Sequence, residues 1–355
     1  MATKSLTKIA FVCNSTASRL WRILPVAGYL SKKGYQVAVL DCNEPFPHNF
    51  IDQFDLFVLQ MVFDERLIKM IKAKKKKYIF EMDDLITWVP EDHYAKETIK
   101  KIGWEWKRGC FKAIASADAV TTTNEFLKRY YSWLRPFKKK IHVLPNYMYS
   151  PFWIKKIPPR LSSDIRIGYV GGSSHVDDLK ILINPLKRIM AEHENVQFVT
   201  MGTGGYSADH NDLVEYNHGN DIFKELPRGR RQHYLGTGMF YYPDKLRTLG
   251  IDIGVAPVLK NKFTMSKTPI KWMEYASIKV PSVCQDFLYW SVVKHGETGF
   301  LAKTEEDYYT YLKKLVVDKE LRHSMGKSAY DDLIANHIFE DHAEQWLNVY
   351  QEVLK

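Results

Sequence analysis

Short apolar runs separated by helical stretches are the feature that most limits how this chain can fold. A helical stretch from about Arg22 to Lys33, which stops at Gly34, joins the first two runs into a β-α-β unit. Continuous apolar strands with helices between them indicate a parallel sheet covered on both faces. The pattern therefore predicts an α/β domain in the first half. Its strand candidates are Lys8–Asn14, Gln36–Asp41, Leu56–Gln60, Tyr78–Glu81, Ala119–Thr123 and Ile141–Leu144.

The alternation of apolar runs and helical stretches stops between Asn146 and Asp164 and then resumes. The break contains three prolines and no apolar periodicity, as a linker does. A chain of 355 residues also exceeds the size at which single cores usually split into domains. We expect two tandem Rossmann-like domains with a cleft where the carboxyl ends of both sheets meet. The second series of strand candidates is Ile165–Val170, Val196–Met201, Ile251–Ala256 and Pro281–Cys284.

Composition fits a soluble globular protein, since 45% of the residues are apolar and 26% are charged, which excludes disorder, collagen and coiled coil. The first apolar run, Ile9–Cys13, is too short for a signal peptide, and no run approaches the roughly 20 residues of a membrane span. The cysteines Cys13, Cys42, Cys110 and Cys284 form no CxxC pair, so neither a disulfide framework nor a zinc site is indicated. We expect a cytoplasmic protein.

Positive charge is concentrated in the first half. Residues 1–160 contain 28 lysines and arginines against 15 acidic residues, whereas the remainder contains 23 against 26. The lysine run Lys74, Lys75, Lys76 and Lys77 belongs to the densest cluster. Such a field attracts an anionic membrane surface, a nucleic acid or another polyanion. The alternative is a solvated face that only improves solubility.

The stretch Phe263–Ala302, FTMSKTPIKWMEYASIKVPSVCQDFLYWSVVKHGETGFLA, resembles the donor-binding segment of GT-B nucleotide-sugar glycosyltransferases of the family 4 type. The resemblance implies an acceptor domain at 1–150, a linker at 151–164, a donor domain at 165–335 and a final helix at 336–355 that returns to the first domain. The supporting blocks are EMDDLITWVP (81–90), SADAVTTTNEFLKRYY (116–131), VLPNYM (143–148) and IRIGYVGGSSHVDDL (165–179).

The same resemblance assigns the donor-site residues. Glu274 stands where the family's ribose-binding glutamate would be, and Lys267 and Lys271 are four residues apart, with Lys267 the better candidate for the diphosphate. Ser266 replaces the first glutamate of the family's Glu-x7-Glu pattern, so it can only offer a hydrogen bond to the sugar. The remaining candidates are in the glycine turn after Val170, where backbone can approach a phosphate closely: Gly171, Gly172, Ser173 and His175.

Asp83 and Asp84 follow a strand of the first domain and are candidates for contact with the acceptor hydroxyl. Like charges raise the pKa of one carboxyl group, which suits proton abstraction. The alternative is a metal site made by Glu81, Asp83 and Asp84. Arg19 and Arg22 could meet phosphate charge, because the family's usual Arg/Lys pair is missing after Val170.

The expected activity is transfer of a hexose from a UDP- or GDP-sugar, UDP-glucose among them, to a hydroxyl acceptor, retaining and without a metal or other cofactor. The favoured acceptor is a cell-envelope or lipid-linked glycan, reached by peripheral contact at the inner membrane surface. One alternative is a phage-type DNA glucosyltransferase acting on hydroxymethylated pyrimidines, for which the aromatic residues of the basic half suit a flipped base. Another is a catalytically silent sugar-nucleotide sensor or scaffold.

Overall fold

The computed structural model describes residues 7–13, 18–47, 49–88, 96–134, 140–159, 162–172, 177–206 and 222–355, and for 96–102 and 204–206 it describes only the backbone. The chain forms two compact units. The first comprises Met1–Tyr149, Asn261–Thr268 and Phe339–Lys355, and the second comprises Ser150–Lys260 and Pro269–Ile338. An eight-residue segment of the second sequence series therefore belongs to the first unit.

The first unit contains a six-stranded sheet in which all described pairings are parallel. Its spatial order is β2-β1-β3-β4-β5-β6. These strands form because their apolar side chains can be buried, and β1 and β3 are almost wholly inaccessible to solvent. The strands are β1 (Lys8–Cys13), β2 (Gln36–Asp41), β3 (Leu56–Gln60), β4 (Lys77–Met82), β5 (Ala119–Thr122) and β6 (Ile141–Val143).

Helices cover both faces of this sheet. One of them, Glu65–Ala73, starts at Asp64, whose carboxylate accepts hydrogen bonds from two backbone N–H groups of the first turn. Phe11 of β1 packs against Tyr350 of the last helix, with ring centroids 6.1 Å apart. The helices are a π-helix (Arg19–Ile23), α1 (Leu24–Lys32), α2 (Glu65–Ala73), α3 (Lys96–Ser116), α4 (Glu125–Tyr131), α12 (Phe339–His342) and α13 (Glu344–Leu354), and 3-10 turns occur at Phe50–Gln53, Ser132–Leu134 and Thr264–Ser266.

The second unit also contains a six-stranded parallel sheet, with its strands in the order β12-β11-β10-β7-β8-β9. A Cβ atom on Gly254 of β10 would lie 2.5 Å from the Tyr275 ring, so only glycine lets the helix that carries Tyr275 pack this closely on the sheet. The strands are β7 (Ile165–Val170), β8 (Val196–Tyr206), β9 (Arg231–Gly236), β10 (Ile253–Ala256), β11 (Ser282–Gln285) and β12 (Phe300–Ala302).

Local sequence also explains where helices of the second unit begin. The helix Glu305–Val317 begins with a capping box between Thr304 and Asp307. The helices are α5 (Ser150–Trp153), α6 (Ile183–Glu192), α7 (Tyr242–Thr248), α8 (Ile270–Ser277), α9 (Asp286–Tyr289), α10 (Glu305–Val317) and α11 (Lys319–Asn336), and 3-10 turns occur at Asp177–Leu182 and Arg228–Arg230.

The predicted fold class is confirmed: the chain is an α/β protein with two parallel six-stranded sheets. The last 17 residues, Phe339–Lys355, belong to the first unit, as the expected returning helix requires. Buried Trp346, Leu347 and Tyr350 attach α13 to the core on one face of the first sheet. Within the described ranges, no helix has both the length and the hydropathy that crossing a membrane requires.

Candidate functional site

The second sheet reverses its strand order beside β7, because the chain continues to β8 and β9 on one side and places β10, β11 and β12 on the other. Open parallel sheets bind ligands at the carboxyl ends of strands at such a switch point. Gly171 and Gly172 directly follow β7 and are only partly buried. The sequence-predicted glycine turn therefore occupies the position in this unit where a ligand is expected.

Helix α8 brings two charged side chains to the same edge. Nζ of Lys271 donates a hydrogen bond to the carbonyl oxygen of Val170 at 2.5 Å, which holds the ammonium beside the glycine turn. A Cβ atom on Gly171 would lie only 2.7 Å from this Nζ. Glu274 lies one helical turn further along α8 and is 3% exposed. Of the two lysines considered for the diphosphate, Lys271 is the one that lies at the switch point.

Glu274 is held in place by a tyrosine from a neighbouring helix. The Tyr242 hydroxyl, at the start of α7, donates to the Glu274 carboxylate at 2.9 Å. Burial raises the pKa of Glu274 to about 7, although the Lys271 ammonium and the Tyr242 hydrogen bond act in the opposite direction. The carboxylate is thus oriented, and its charge changes near neutral pH.

In the first unit, Asp83 and Asp84 follow the carboxyl end of β4 and are half-buried. Burial, and secondly the neighbouring Asp84 carboxylate, raise the pKa of Asp83 to about 6. The Ser18 hydroxyl donates a hydrogen bond to Asp83. Asp84 instead pairs with Nζ of Lys267 at 2.8 Å. The two neighbouring carboxylates therefore have different partners, and Asp83 is the one suited to exchange a proton near neutral pH.

Lys267 and Ser266 belong to the segment Asn261–Thr268, which folds onto the first unit. The Ser266 side chain is fully buried, and its hydroxyl donates to the carbonyl of Phe263 at 2.6 Å and accepts from the N–H of Leu85 at 3.1 Å. Because the buried hydroxyl already makes these two hydrogen bonds, Ser266 is not available to a sugar. The Asn124 side chain also donates to the Ser266 carbonyl at 2.6 Å, and the segment is thereby held next to Asp84.

Arg22 lies in the core of the first unit and is 1% exposed. Its guanidinium pairs with Glu81 at 2.7 Å and donates to the carbonyl of Leu144 at 2.6 Å. Glu81 also accepts from the Thr121 hydroxyl. Because both side chains are buried and paired, Arg22 cannot contact a phosphate. For the same reason, Glu81 cannot bind a metal. Arg19 is more accessible and forms an ion pair with Asp41.

The lysine run lies at the amino end of β4, at the edge of the sheet opposite Asp83. Six strand residues separate the two edges by about 20 Å. Three of the four lysines have acidic neighbours: Lys74 Nζ lies 3.0 Å from Asp52, Lys76 Nζ 3.8 Å from Asp55 and Lys77 Nζ 3.6 Å from Asp118. The lysine run is therefore far from Asp83, and its positive charge is partly neutralised.

No known family profile matches the sequence, and no curated protein is detectably similar to it. Solved structures match over nearly the whole chain. Sucrose-phosphate synthase from Thermosynechococcus elongatus has a TM-score of 0.69 at 12% identity, covering 98% of each chain. HepE from Anabaena, in complex with UDP and glucose, has a TM-score of 0.65 at 12% identity, covering 98% of this chain and 100% of that one. A glycosyltransferase from Rickettsia africae has a TM-score of 0.66 at 13% identity, covering 99% of each. The chain has the GT-B fold.

On this GT-B fold, the predicted residues separate into two groups. Gly171, Gly172, Lys271 and Glu274 lie together in the second unit, whereas Asp83, Asp84, Ser266 and Lys267 lie together in the first. Ser173 and His175 lie outside the described residues. Among the residues that the structure does describe, no three His, Cys, Asp or Glu side chains are grouped as metal ligands would be.

Several residues that sequence reasoning missed complete the two groups. Ser18 contacts Asp83, and Tyr242 contacts Glu274. Asn124 and Asn146 hold the segment Asn261–Thr268, the latter by donating to the Thr268 hydroxyl at 2.8 Å. Asn124 and Asn146 stand just after strands in the polar blocks TTTN and LPN, which is a usable signal. Nothing local distinguishes Tyr242 from the tyrosines around it.

Proposed function

We propose that this GT-B chain is a glycosyltransferase that moves a hexose from a nucleotide-diphosphate sugar to a hydroxyl acceptor. The observation that carries the proposal is the convergence of the Gly171–Gly172 turn, the Lys271 ammonium and the buried Glu274 carboxylate at the switch point of the second sheet. A carboxylate accepts hydrogen bonds from two ribose hydroxyls, and an ammonium beside a glycine turn suits phosphate. HepE, with the same fold, was solved with UDP-glucose bound.

Within this proposal Lys271 takes the diphosphate role that the sequence favoured for Lys267. Negative charge develops on the diphosphate as the glycosidic bond breaks, and an ammonium fixed beside it stabilises that charge. Lys271 is fixed by the Val170 carbonyl, whereas the Lys267 ammonium is paired with Asp84. Lys267 then serves the first unit by compensating the charge of Asp84.

We propose that the Asp83 carboxylate binds the acceptor hydroxyl and takes its proton. With its pKa raised to about 6 by burial and by Asp84, the carboxyl group is mostly ionised at neutral pH yet basic enough to accept a proton. We assign a retaining outcome, as the family resemblance implies: the acceptor oxygen bonds to the anomeric carbon on the face from which the diphosphate leaves, and the hydroxyl proton passes to Asp83. We propose a membrane-borne or otherwise anionic glycan as acceptor, which the excess of lysine and arginine in residues 1–160 supports.

The proposal is tested by nucleotide binding. Calorimetric titration of the protein with UDP, GDP and ADP should give one preferred nucleoside diphosphate, and the matching nucleotide sugars should raise Tm. The same nucleoside without phosphates should bind far more weakly, because it cannot engage Lys271. Absence of binding for all three diphosphates would reject the donor site.

Activity should survive EDTA. Lys271 is a cationic group that the described part of the donor site offers the leaving diphosphate, and Glu81 and Asp84 already pair with Arg22 and Lys267. We therefore expect transfer rates with excess EDTA to equal those with added Mg²⁺ or Mn²⁺ within about twofold, since the ammonium supplies the charge. Loss of activity in EDTA and recovery with either ion would make an acidic cluster the site of a required metal.

Changing Lys74, Lys75, Lys76 and Lys77 together to glutamine should raise the apparent KM for an anionic acceptor several-fold and flatten its salt dependence, because a local positive field is removed. Donor affinity should stay unchanged, since the run belongs to the first unit and the proposed donor-site residues belong to the second. Circular dichroism checks the fold. The matched control changes four exposed lysines of the second unit: Lys303, Lys314, Lys319 and Lys327. If both variants keep the wild-type KM and salt response, the run is only a solubilising surface.

A further inference from the structure

Tyr169 lies in β7, the strand that leads to the glycine turn, and its side chain ends in a hydroxyl group. Its side chain is fully buried, and its hydroxyl has no hydrogen-bond partner within the part of the chain that the structure describes. Tyr275, packed in the same region, contrasts with it, because its hydroxyl lies 3.0 Å from the Gly168 carbonyl oxygen and donates a hydrogen bond there. A buried hydroxyl without a partner destabilises a fold, and phenylalanine would fill the same space without that cost.

The Tyr169 hydroxyl is directed at the candidate donor site. A Cβ atom placed on Gly171 would lie 2.6 Å from the hydroxyl oxygen and 2.7 Å from Nζ of Lys271, so both groups converge beneath the glycine turn. The Lys271 ammonium also lies 4.9 Å from the centre of the Tyr169 ring. Burial, and secondly the Asp178 carboxylate, raise the pKa of Tyr169 well above its ordinary value, so the hydroxyl keeps its proton and remains a donor.

We propose that the Tyr169 hydroxyl is a binding group for the nucleotide sugar and donates a hydrogen bond to a diphosphate oxygen held by Lys271. This inference rests on the donor site proposed above. In the structure, Lys271 donates to the carbonyl of Val170. An ammonium carries three N–H groups, so Nζ can donate to a diphosphate oxygen while it keeps its hydrogen bond to Val170, and that oxygen then lies close to the Tyr169 hydroxyl. Nucleotide binding then supplies the hydrogen-bond partner that the Tyr169 hydroxyl lacks among the described residues.

Two matched variants test this assignment. Tyr169→Phe removes the unpartnered hydroxyl, and Tyr275→Phe removes a hydroxyl of the same kind that the backbone already engages. The Tm of each ligand-free protein and its calorimetric Kd for UDP, GDP and ADP are measured. For Tyr169→Phe we expect an unchanged or higher Tm and an affinity for the preferred diphosphate that is about tenfold lower. For Tyr275→Phe we expect a lower Tm and wild-type affinity.

The outcomes separate this inference from the function on which it rests. Wild-type protein that binds a diphosphate, together with Tyr169→Phe that binds it equally well, overturns the role of Tyr169 and leaves the donor site standing. A lower Tm for Tyr169→Phe, with affinity falling no more than in Tyr275→Phe, likewise makes the hydroxyl structural and overturns the role. Wild-type protein that binds none of the three diphosphates overturns the donor site and the Tyr169 assignment together.

Discussion

Asp83→Asn is expected to lower the rate of sugar transfer by about 10²- to 10⁴-fold, the range in which a general base contributes. Wild-type activity should rise with pH through about 6, because burial and Asp84 raise the pKa of Asp83 to that value and only its ionised form accepts a proton. The variant has no carboxylate to ionise, so its residual rate should lose this dependence. Initial rates between pH 5 and 8 measure both effects.

Asp84→Asn is the matched control, since it makes the same chemical change one residue away. It removes the carboxylate that helps to raise the pKa of Asp83 and frees the Lys267 ammonium nearby. The midpoint of the pH profile should therefore move to lower pH, while the plateau rate falls much less than in Asp83→Asn. Wild-type rate and pH profile in Asp83→Asn would show that Asp83 does not act on the acceptor.

Glu274→Ala should weaken binding of the preferred nucleoside diphosphate by about 1.5 to 3 kcal/mol, the scale of a hydrogen bond to a charged acceptor. Affinity of the wild-type protein should rise between pH 6 and 8, because the pKa of Glu274 is raised to about 7 and the ionised carboxylate is the stronger acceptor for ribose hydroxyls. Calorimetric Kd values across this range measure both effects. Unchanged affinity in Glu274→Ala would remove this residue from the site.

Two further variants separate binding from stability. Tyr242→Phe keeps the carboxylate and removes the hydroxyl that orients it, so it should lose less affinity than Glu274→Ala. Glu274→Gln replaces the buried carboxyl group with a neutral amide, so no charge is buried at this position in the variant. Because the folded-state pKa of Glu274 lies above its ordinary value, the wild-type fold loses stability as pH rises from about 5 to 7. The Tm of Glu274→Gln relative to wild type should therefore increase over the same interval.

The alternation of apolar runs predicted the α/β class, since burial of continuous apolar strands is a local property of the sequence. Strand β9 was missed because its residues Arg231, Gln232 and His233 are polar, as an edge strand allows. Strand β12 has only three residues, too few for a recognisable pattern. The continuous helix expected from Arg22 begins instead with a π-helix at Arg19.

The candidate site was harder to predict because its partners are distant in sequence. Ser266 matches a sugar-contacting position in the family pattern, yet its hydroxyl bonds to the backbone of Leu85, 181 residues away. Lys267 and Lys271 are four residues apart, but they belong to different units and bind Asp84 and the Val170 carbonyl. Spacing along the chain predicted residue types for the proposed donor site, but it could not show which lysine lies beside the glycine turn.

Mass spectrometry of reaction products shows whether this GT-B chain transfers a sugar. Purified protein is incubated in EDTA with UDP- and GDP-hexoses, with and without a lipid-linked glycan extract and with hydroxymethylated DNA in parallel. We expect release of a nucleoside diphosphate with a matching gain of one hexose on the glycan. Binding of a nucleotide sugar without hydrolysis or transfer to any acceptor would contradict this expectation and make the protein a sugar-nucleotide sensor.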